Sequence, residues 1–162
     1  MMKYMAFLLT AVLVVSCSKK KTEEQAVDTA DTSVSNQAMS FDPTGSDSGN
    51  IPGLNTVYFD YDKAALSSSA RETLKGNADW IKENTKTVVQ IEGHCDNRGS
   101  IEYNLALGER RAKATKDYLT SLGVEANRLT VISYGEEKPL INGESEDAFA
   151  KNRRANFLPL AE

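Results

Sequence analysis

Few of the side chains that carry metal or nucleophilic chemistry occur in this sequence. Its 162 residues include one histidine, His94, and two cysteines, Cys17 and Cys95. A zinc ion is normally held by several histidine, cysteine or carboxylate ligands. With so few nitrogen and sulfur ligands, the sequence predicts no metal site, and no pattern in it indicates a cofactor.

An excess of basic residues is also missing. Lysine and arginine number 19 against 23 aspartates and glutamates, which gives a formal net charge of −4. Proteins that bind nucleic acids usually present a basic surface to the phosphates, so we expect no nucleic-acid partner. The hydrophobic content of 40% is enough to form the core of one modest domain.

The N-terminus carries a pattern typical of a targeting segment. Lys3 precedes an apolar run at 5–15, MAFLLTAVLVV, which is too short to cross a bilayer as a helix. The residues that follow, VVSCSKKK, place the small Ser16 before Cys17 and resemble the lipobox of bacterial lipoproteins. The resemblance implies that residues 1–16 are a signal peptide and that Cys17 is acylated. The alternative is an ordinary secretory peptide with an incidental cysteine.

Acylation of Cys17 would leave Cys95 without a partner for an intramolecular disulfide. Several acyl chains, at about 0.8 kcal/mol per buried CH₂, anchor a protein far more firmly than one chain does. In the lipoprotein scheme, Ser18 after the acylated cysteine fits sorting to the outer membrane. We therefore expect a lipid-anchored protein of the outer membrane that faces the periplasm.

Residues 17–54 are expected to hold the anchor and a flexible tether. The stretch 18–50 is rich in Ser, Thr, Asp and Gly and has no sustained hydrophobic period. Such a segment buries too little apolar surface to offset the entropy lost on ordering. Residues 17–54 would span about 120 Å when extended and about 35 Å as a coil. The tether either lets the lipid-anchored domain reach a layer at some distance from the membrane or is a passive spacer.

Residues 55–162 alternate strand and helix patterns and are expected to form the folded domain. β-branched and aromatic residues predict strands at 56–62, 86–94, 127–135 and 153–160. Apolar residues at helical spacing predict helices at 67–83 and 102–122. Ser69 and Glu72 suggest a capping box in the first helix, and 136–152 is predicted as loop with at most a helical turn. The fold class is α+β, a small two-layer sandwich with a mixed sheet in the order βαβαβ-β.

The stretch Gly93 to Ser100, GHCDNRGS, brings the histidine, a cysteine and an aspartate together in sequence. Successive side chains of a strand point to opposite faces, so His94 and Cys95 are expected to diverge. A nucleophile and its base must lie within hydrogen-bond reach. The sequence therefore predicts no catalytic pair here; His94 is expected to be structural and Cys95 to be small and buried.

Asp96 is the residue of this stretch with a plausible binding role. It follows a predicted strand, and Arg98, Arg110 and Arg111 lie on the next loop and helix. An aspartate and an arginine on neighbouring elements can hold a zwitterion. The aspartate carboxylate accepts from the ligand's ammonium, and the guanidinium donates two parallel bonds to the ligand's carboxylate. A plain ion pair between Asp96 and one arginine fits the same spacing.

Four segments of the chain resemble the OmpA-like domain family, in its branch of peptidoglycan-associated lipoproteins. They are TVYFDYDKAAL, VQIEGHCDNRGSIEYNLALGERRAKATKDYL, SYGEEKP and KNRRA. The resemblance covers about residues 55–160. The lipobox and the tether that precede this range also fit the same branch of the family. Cys95 departs from the family, which typically has a small or hydroxyl residue there.

The resemblance implies non-covalent binding of peptidoglycan through the diaminopimelate of its stem peptide. Asp96 would meet the ammonium of that residue and Arg111 its carboxylate. The other lining residues implied are Phe59, Asp60, Arg98 and Leu107. Asn104 matches a motif position that orients the loop. We expect both Asp96→Ala and Arg111→Ala to abolish binding without unfolding the domain. Arg153 and Arg154 match the family's terminal NRR and are expected to support the structure, whereas Arg110 is expected to be solvated.

The function expected from these resemblances is a tether between outer membrane and cell wall, with no enzymatic activity. The family branch also implies a place in the Tol–Pal envelope system, with a TolB-like periplasmic partner. Two alternatives remain open at this point. One is a murein hydrolase or amidase that uses His94 and Cys95, and the other is a periplasmic adaptor whose cleft holds a protein's terminal carboxylate.

Overall fold

The computed structural model describes residues 42–160. The predicted signal peptide, the lipidation residue Cys17 and most of the predicted tether lie outside the described residues. Within that range, no helix combines the length and the apolar character that crossing a bilayer requires.

The described chain folds into strands and helices that alternate along most of its length. The strands are β1 (Val57–Tyr58), β2 (Val88–His94), β3 (Leu129–Gly135) and β4 (Arg154–Leu160). The helices are α1 (Ser68–Glu83), α2 (Ile101–Ser121) and α3 (Glu146–Asn152), and short 3₁₀ turns occur at Gly45–Ser48 and Ala126–Arg128. The segment predicted as loop with a helical turn thus holds the two-turn helix α3.

The strands form one mixed sheet in the order β1-β4-β2-β3. β2 and β3 run parallel and are joined through α2, while β4 is antiparallel to both of its neighbours, β1 and β2. The predicted α+β fold with a mixed sheet is confirmed. The order places β2, which ends two residues before Asp96, between β3 and β4.

The core lies between the sheet and the helices α1 and α2. Alternate residues of the central strands point into it, as expected from the pleat. Fully buried members of this core are Leu74, Ile81, Val89, Ile91, Leu119, Leu129 and Phe157. Burying an aliphatic or aromatic side chain of this size is worth about 1.5–3 kcal/mol, so these contacts fix the helices on the sheet and hold the ends of β2 and α2 together.

Two local predictions from the sequence are wrong. The N-cap of α1 is Ser67, whose hydroxyl accepts a 3.1 Å hydrogen bond from the Ala70 amide. Glu72 is not part of a capping box but pairs with Lys75 at 2.8 Å. The strand predicted at 56–62 is also cut short after Tyr58. The chain turns there, because the Lys63 amide donates to the Asp60 carbonyl at 3.3 Å.

The folded part of the chain begins before residue 55, where the sequence analysis placed its start. Ser46 donates to the Asn156 side chain at 2.9 Å and accepts from the Phe157 amide at 3.0 Å. Asp47 forms a 2.7 Å ion pair with Arg154, and both side chains are more than nine-tenths buried. Because β1 is only two residues long, the 3₁₀ turn covers an edge of β4 that would otherwise be open. The predicted tether therefore extends too far: its last residues, 42–54, are part of the domain.

α2 approaches β2 closely at two glycines. A Cβ on Gly93 of β2 would lie 1.9 Å from the Gly108 carbonyl oxygen of α2, and a Cβ on Gly108 would lie 2.3 Å from the Ser133 hydroxyl. Only glycine fits such a contact between two backbones.

Replacing Gly93 by alanine should destabilise the domain by about 2–3 kcal/mol, because the added methyl group forces the strand and helix apart. The matched control is Gly76→Ala, at an exposed position of α1 with no atom within 4 Å of the new methyl. It should stabilise the helix by up to about 1 kcal/mol. Urea unfolding of both variants measures the difference, and equal effects would refute the close contact.

Asp47→Ala should destabilise the domain by about 3 kcal/mol, because it leaves the Arg154 guanidinium buried without its charge partner. Glu72→Ala removes an exposed ion pair and is expected to change the unfolding free energy little. If residues 42–54 were a flexible tether, the two variants would unfold at the same urea concentration.

Candidate functional site

A pocket lies where β2 ends and α2 begins. Gly99, with φ of +124°, lets the connecting loop turn, and the Ser100 hydroxyl then caps α2 by accepting from the Tyr103 amide. The cavity has a volume of about 140 Å³, well above the roughly 10–15 Å³ that one water needs. Asp96 and Arg111 both line it. The structure thus brings together the two residues that the sequence analysis assigned to the ligand.

Asp96 is 3% exposed and is held as a carboxylate by two arginines. Its Oδ2 accepts from Arg98 at 2.6 Å and from Arg153 at 3.1 Å, and its Oδ1 accepts from the Arg98 amide at 3.2 Å. Burial raises the pKa of Asp96, but these hydrogen bonds outweigh it and leave the pKa below its ordinary value. Asp96 therefore stays ionised through the neutral and mildly acidic range.

Arg111 is fully buried and donates mainly to backbone carbonyls. Nε donates to the Lys63 carbonyl at 2.9 Å and Nη2 to the Asp60 carbonyl at 3.1 Å. Nη1 donates to the His94 carbonyl at 2.8 Å and to the Cys95 sulfur at 3.3 Å. These bonds tie the turn after β1 and the end of β2 to α2.

This arrangement differs from the two parallel bonds expected of Arg111. A guanidinium has five N–H donors, and four of those of Arg111 have partners among residues 42–160. As it stands, Arg111 offers a ligand its positive charge and one N–H of Nη2. Two parallel bonds use one N–H on each of two nitrogens, so such a contact would require Nε to release the Lys63 carbonyl or Nη1 to release one of its partners.

Arg98 closes one side of the pocket. Its guanidinium lies 4.0 Å from the centre of the Tyr61 ring and 4.4 Å from that of Phe149. It also pairs with Glu146 at 3.3 Å, as does Arg153 at 2.9 Å. The two arginines and the two acids form a closed ring of alternating charge, with Asp96 as its buried acid.

Asn104 and Leu107 lie on the first turns of α2 and line the same pocket. The Asn104 amide group donates to the carbonyls of Asp96 and Arg98 at 3.2 and 3.3 Å, so it holds the loop in the way that the sequence analysis expected. Leu107 is 4% exposed and supplies an apolar wall.

Phe59 and Asp60 do not line this pocket, although the resemblance implied that they would. The Phe59 ring packs under the Arg111 guanidinium, 5.2 Å from it, and Asp60 contributes its carbonyl to Arg111. Both residues instead line a second, larger cavity of about 440 Å³. Their role towards Arg111 is therefore to support it.

His94 and Cys95 diverge, as predicted. His94 Nε2 lies 3.8 Å from the Glu92 carboxylate on the same face of β2, whereas the Cys95 thiol donates to the Asn104 carbonyl at 3.2 Å. Burial raises the pKa of Cys95 to about 11, with Arg111 opposing the shift. Burial also lowers the pKa of His94. A neutral thiol that faces away from the histidine is poorly suited to nucleophilic attack.

The structure adds six pocket residues that were not assigned to the site from the sequence: Tyr61, Asp62, Cys95, Gly99, Tyr103 and Arg153. Arg153 had been expected only to support the structure, and its ion pair with Asp96 depends on how β4 pairs with its neighbours. Tyr61 and Asp62 directly follow Phe59 and Asp60 in sequence, which is the signal that could have found them. Among residues 42–160, no group of histidine, cysteine and acidic residues could hold a metal ion.

The chain is similar in sequence to members of one protein family. The OmpA family model matches residues 58–153. A protein of Mesorhizobium japonicum named peptidoglycan-associated lipoprotein is 35% identical over 151 residues, which are 93% of this chain and 88% of that one. A protein of the same name from Brucella melitensis is 44% identical over 99 residues, 61% of this chain. That match spans only 59% of the Brucella protein.

Solved structures agree with the fold. The crystal structure of the peptidoglycan-associated lipoprotein from Burkholderia pseudomallei superimposes with a TM-score of 0.62 at 37% identity, over 65% of this chain and 89% of that one. The C-terminal domain of Helicobacter pylori MotB has a TM-score of 0.64 at 20% identity, over 68% and 87% of the two chains, and shows the likeness of fold alone. The family match over most of the described domain, together with a relative similar over nearly the whole chain, establishes that this chain belongs to the OmpA family.

Proposed function

We propose that this chain binds peptidoglycan non-covalently through the diaminopimelate of the stem peptide and so tethers the outer membrane to the cell wall. The observation that carries the proposal is the single pocket lined by Asp96 and Arg111. Diaminopimelate presents an ammonium and a carboxylate on one carbon at the end of its side chain. A buried acid and a buried arginine in one cavity complement that pair of charges.

Asp96 is the acceptor for the ammonium. A carboxylate has about four acceptor positions, and three of those of Asp96 are used by Arg98 and Arg153. The remaining position on Oδ1 can take an ammonium N–H without breaking the ion pairs. Arg111 then attracts the ligand carboxylate by its charge and its available N–H.

The charges around the pocket suit a ligand that carries both carboxylates and an ammonium. Its lining includes three arginines, Arg98, Arg111 and Arg153, and two acids, Asp62 and Asp96. A third acid, Glu146, pairs with Arg98 and Arg153, and a stem peptide brings charges of both signs to this balanced set of groups. A neutral or amidated residue in the pocket would leave a buried charge unpaired, which costs more than the hydrogen bond it removes.

The anchor of the proposed tether is Cys17, acylated after cleavage of the lipobox. The proposal is supported by the sequence pattern and by the name lipoprotein that the relatives carry. Acyl chains in the outer membrane and a domain on the wall would join the two layers without a covalent link to the wall. The family resemblance extends the proposal to the Tol–Pal system and a TolB-like periplasmic partner.

Two other functions predict different results in simple assays. A murein hydrolase would clear a band in a gel containing murein, whereas the proposed binder leaves none. An adaptor for a protein carboxylate would bind its target in the presence of free diaminopimelate. Here free diaminopimelate should instead release the chain from murein.

Asp96→Asn should abolish sedimentation of the detergent-solubilised full chain with purified murein, because the amide cannot balance the ligand's ammonium. The matched control is Asp79→Asn on the exposed face of α1, which should sediment like the unchanged chain. Circular dichroism verifies that both variants are folded. A folded Asp96→Asn chain that still sediments completely would rule out the assigned role.

Arg111→Lys should weaken binding of a diaminopimelate-containing peptide at least ~10-fold, because a single ammonium cannot replace the backbone bonds of the guanidinium and also contact the ligand. Arg110→Lys, at the exposed neighbouring position, is the control and should bind as before. Titration calorimetry measures both variants, after circular dichroism has verified that they are folded. Equal affinities in the two variants would contradict a role for Arg111 in the pocket.

Alanine is the wrong probe at this position. Arg111→Ala was expected to leave the fold intact, but the guanidinium is fully buried and donates to three backbone carbonyls. Removing it takes this donor from the Lys63 and His94 carbonyls, at about 1–3 kcal/mol for each one left unpaired. Loss of binding in that variant would reflect unfolding as much as lost recognition.

A further inference from the structure

A second cavity lies next to the Asp96 pocket and has about three times its volume. It measures about 440 Å³ against about 140 Å³. We call it the β1 groove, and its lining residues are Tyr58, Phe59, Asp60, Ser67, Ser69, Ala150, Lys151 and Arg153. Its size falls in the range of about 300–1,000 Å³ that is usual for ligand sites.

The β1 groove presents an aromatic ring together with hydroxyl groups. Tyr58 is 47% exposed although it belongs to a strand of the sheet. The hydroxyls of Ser67 and Ser69 lie 2.9 Å apart at the start of α1. A half-exposed aromatic side chain beside hydroxyl groups suits a ligand that is apolar on one side and hydroxylated at its edges.

Most of the charges in the β1 groove are neutralised by ion pairs. Asp60 pairs with Lys63 at 3.2 Å. Arg153, the most buried cation of the lining, is committed to Asp96 and Glu146. Lys151 is exposed and forms no ion pair with the described residues, so it remains as a donor to a polar ligand atom. The groove therefore differs from the adjoining pocket, which holds buried charges of both signs, and is suited to an uncharged ligand with polar groups.

The two cavities share a wall. Arg153 lines both, and its Nε donates to the Phe59 carbonyl at 3.1 Å. The side chain of Asp60 lines the groove, whereas its carbonyl binds Arg111 of the pocket. A ligand that fills the pocket can therefore continue into the groove around residues 59 and 60.

We propose that the β1 groove is a glycan subsite, in which an N-acetylated sugar of the glycan strand stacks on Tyr58 while its stem peptide occupies the Asp96 pocket. The inference rests on the proposed function. The sugars of the strand carry no charge when the stem peptide is attached. They combine an apolar ring face with hydroxyl and acetamido groups, which Ser67, Ser69 and Lys151 can meet by hydrogen bonds.

The test compares two soluble ligands on the detergent-solubilised full chain by titration calorimetry. One is a diaminopimelate-containing tripeptide and the other is the same tripeptide attached to its disaccharide. Stacking on one aromatic ring should make the disaccharide ligand bind roughly three- to tenfold more tightly. Tyr58→Ala should remove this advantage and leave the tripeptide affinity unchanged, whereas Tyr58→Phe should retain it.

A second variant places a large side chain in the groove from α1 and leaves the sequence of β1 unchanged. Ser69→Trp, at an exposed position of α1, should abolish the disaccharide advantage and leave tripeptide binding intact. Equal affinity of the unchanged chain for both ligands would overturn the glycan subsite while leaving peptidoglycan binding in place. A loss of both affinities in folded Tyr58→Ala would also overturn it. Failure of the unchanged chain to bind either ligand would refute the proposed function itself.

Discussion

The structure of the site depends on one buried guanidinium. Arg111 reaches from α2 to carbonyls at the end of β2 and in the turn after β1. A buried charge of this kind is stable only because its donors are matched. The same side chain lines the pocket and gives it a permanent positive charge, so that the fold and the proposed recognition both depend on this residue.

Asp96 is the second buried charge of the site, and its charge is balanced by arginine side chains. Its two arginine partners hold the carboxylate ionised without a ligand, so binding requires no change of protonation. The exposed acid Glu146 shares both arginines and moderates their charge. A pocket organised in this way before the ligand arrives loses little conformational freedom on binding, which suits the proposed role of holding one residue of a large polymer.

Much of this could be predicted from the sequence, because the signals were local. Hydrophobic periods located α1, α2 and the longer strands, and the motif around Asp96 and Arg111 located the pocket. What the sequence did not show depends on distant pairing. Two of the three carbonyls that bind Arg111 come from a turn at residues 60–63, where Asp62 adopts a positive φ. The polar segment 42–54 has no hydrophobic period, yet it is ordered by buried hydrogen bonds to β4.

The attachment of that segment has a mechanical consequence. Chain upstream of residue 42 enters the domain through Ser46 and Asp47, which are bonded to Asn156 and Arg154. β4 is an inner strand, paired with β2 along most of its length. Traction applied from the N-terminal side would therefore load β4 along several bonds at once and would not peel the two-residue edge strand β1 away from the sheet.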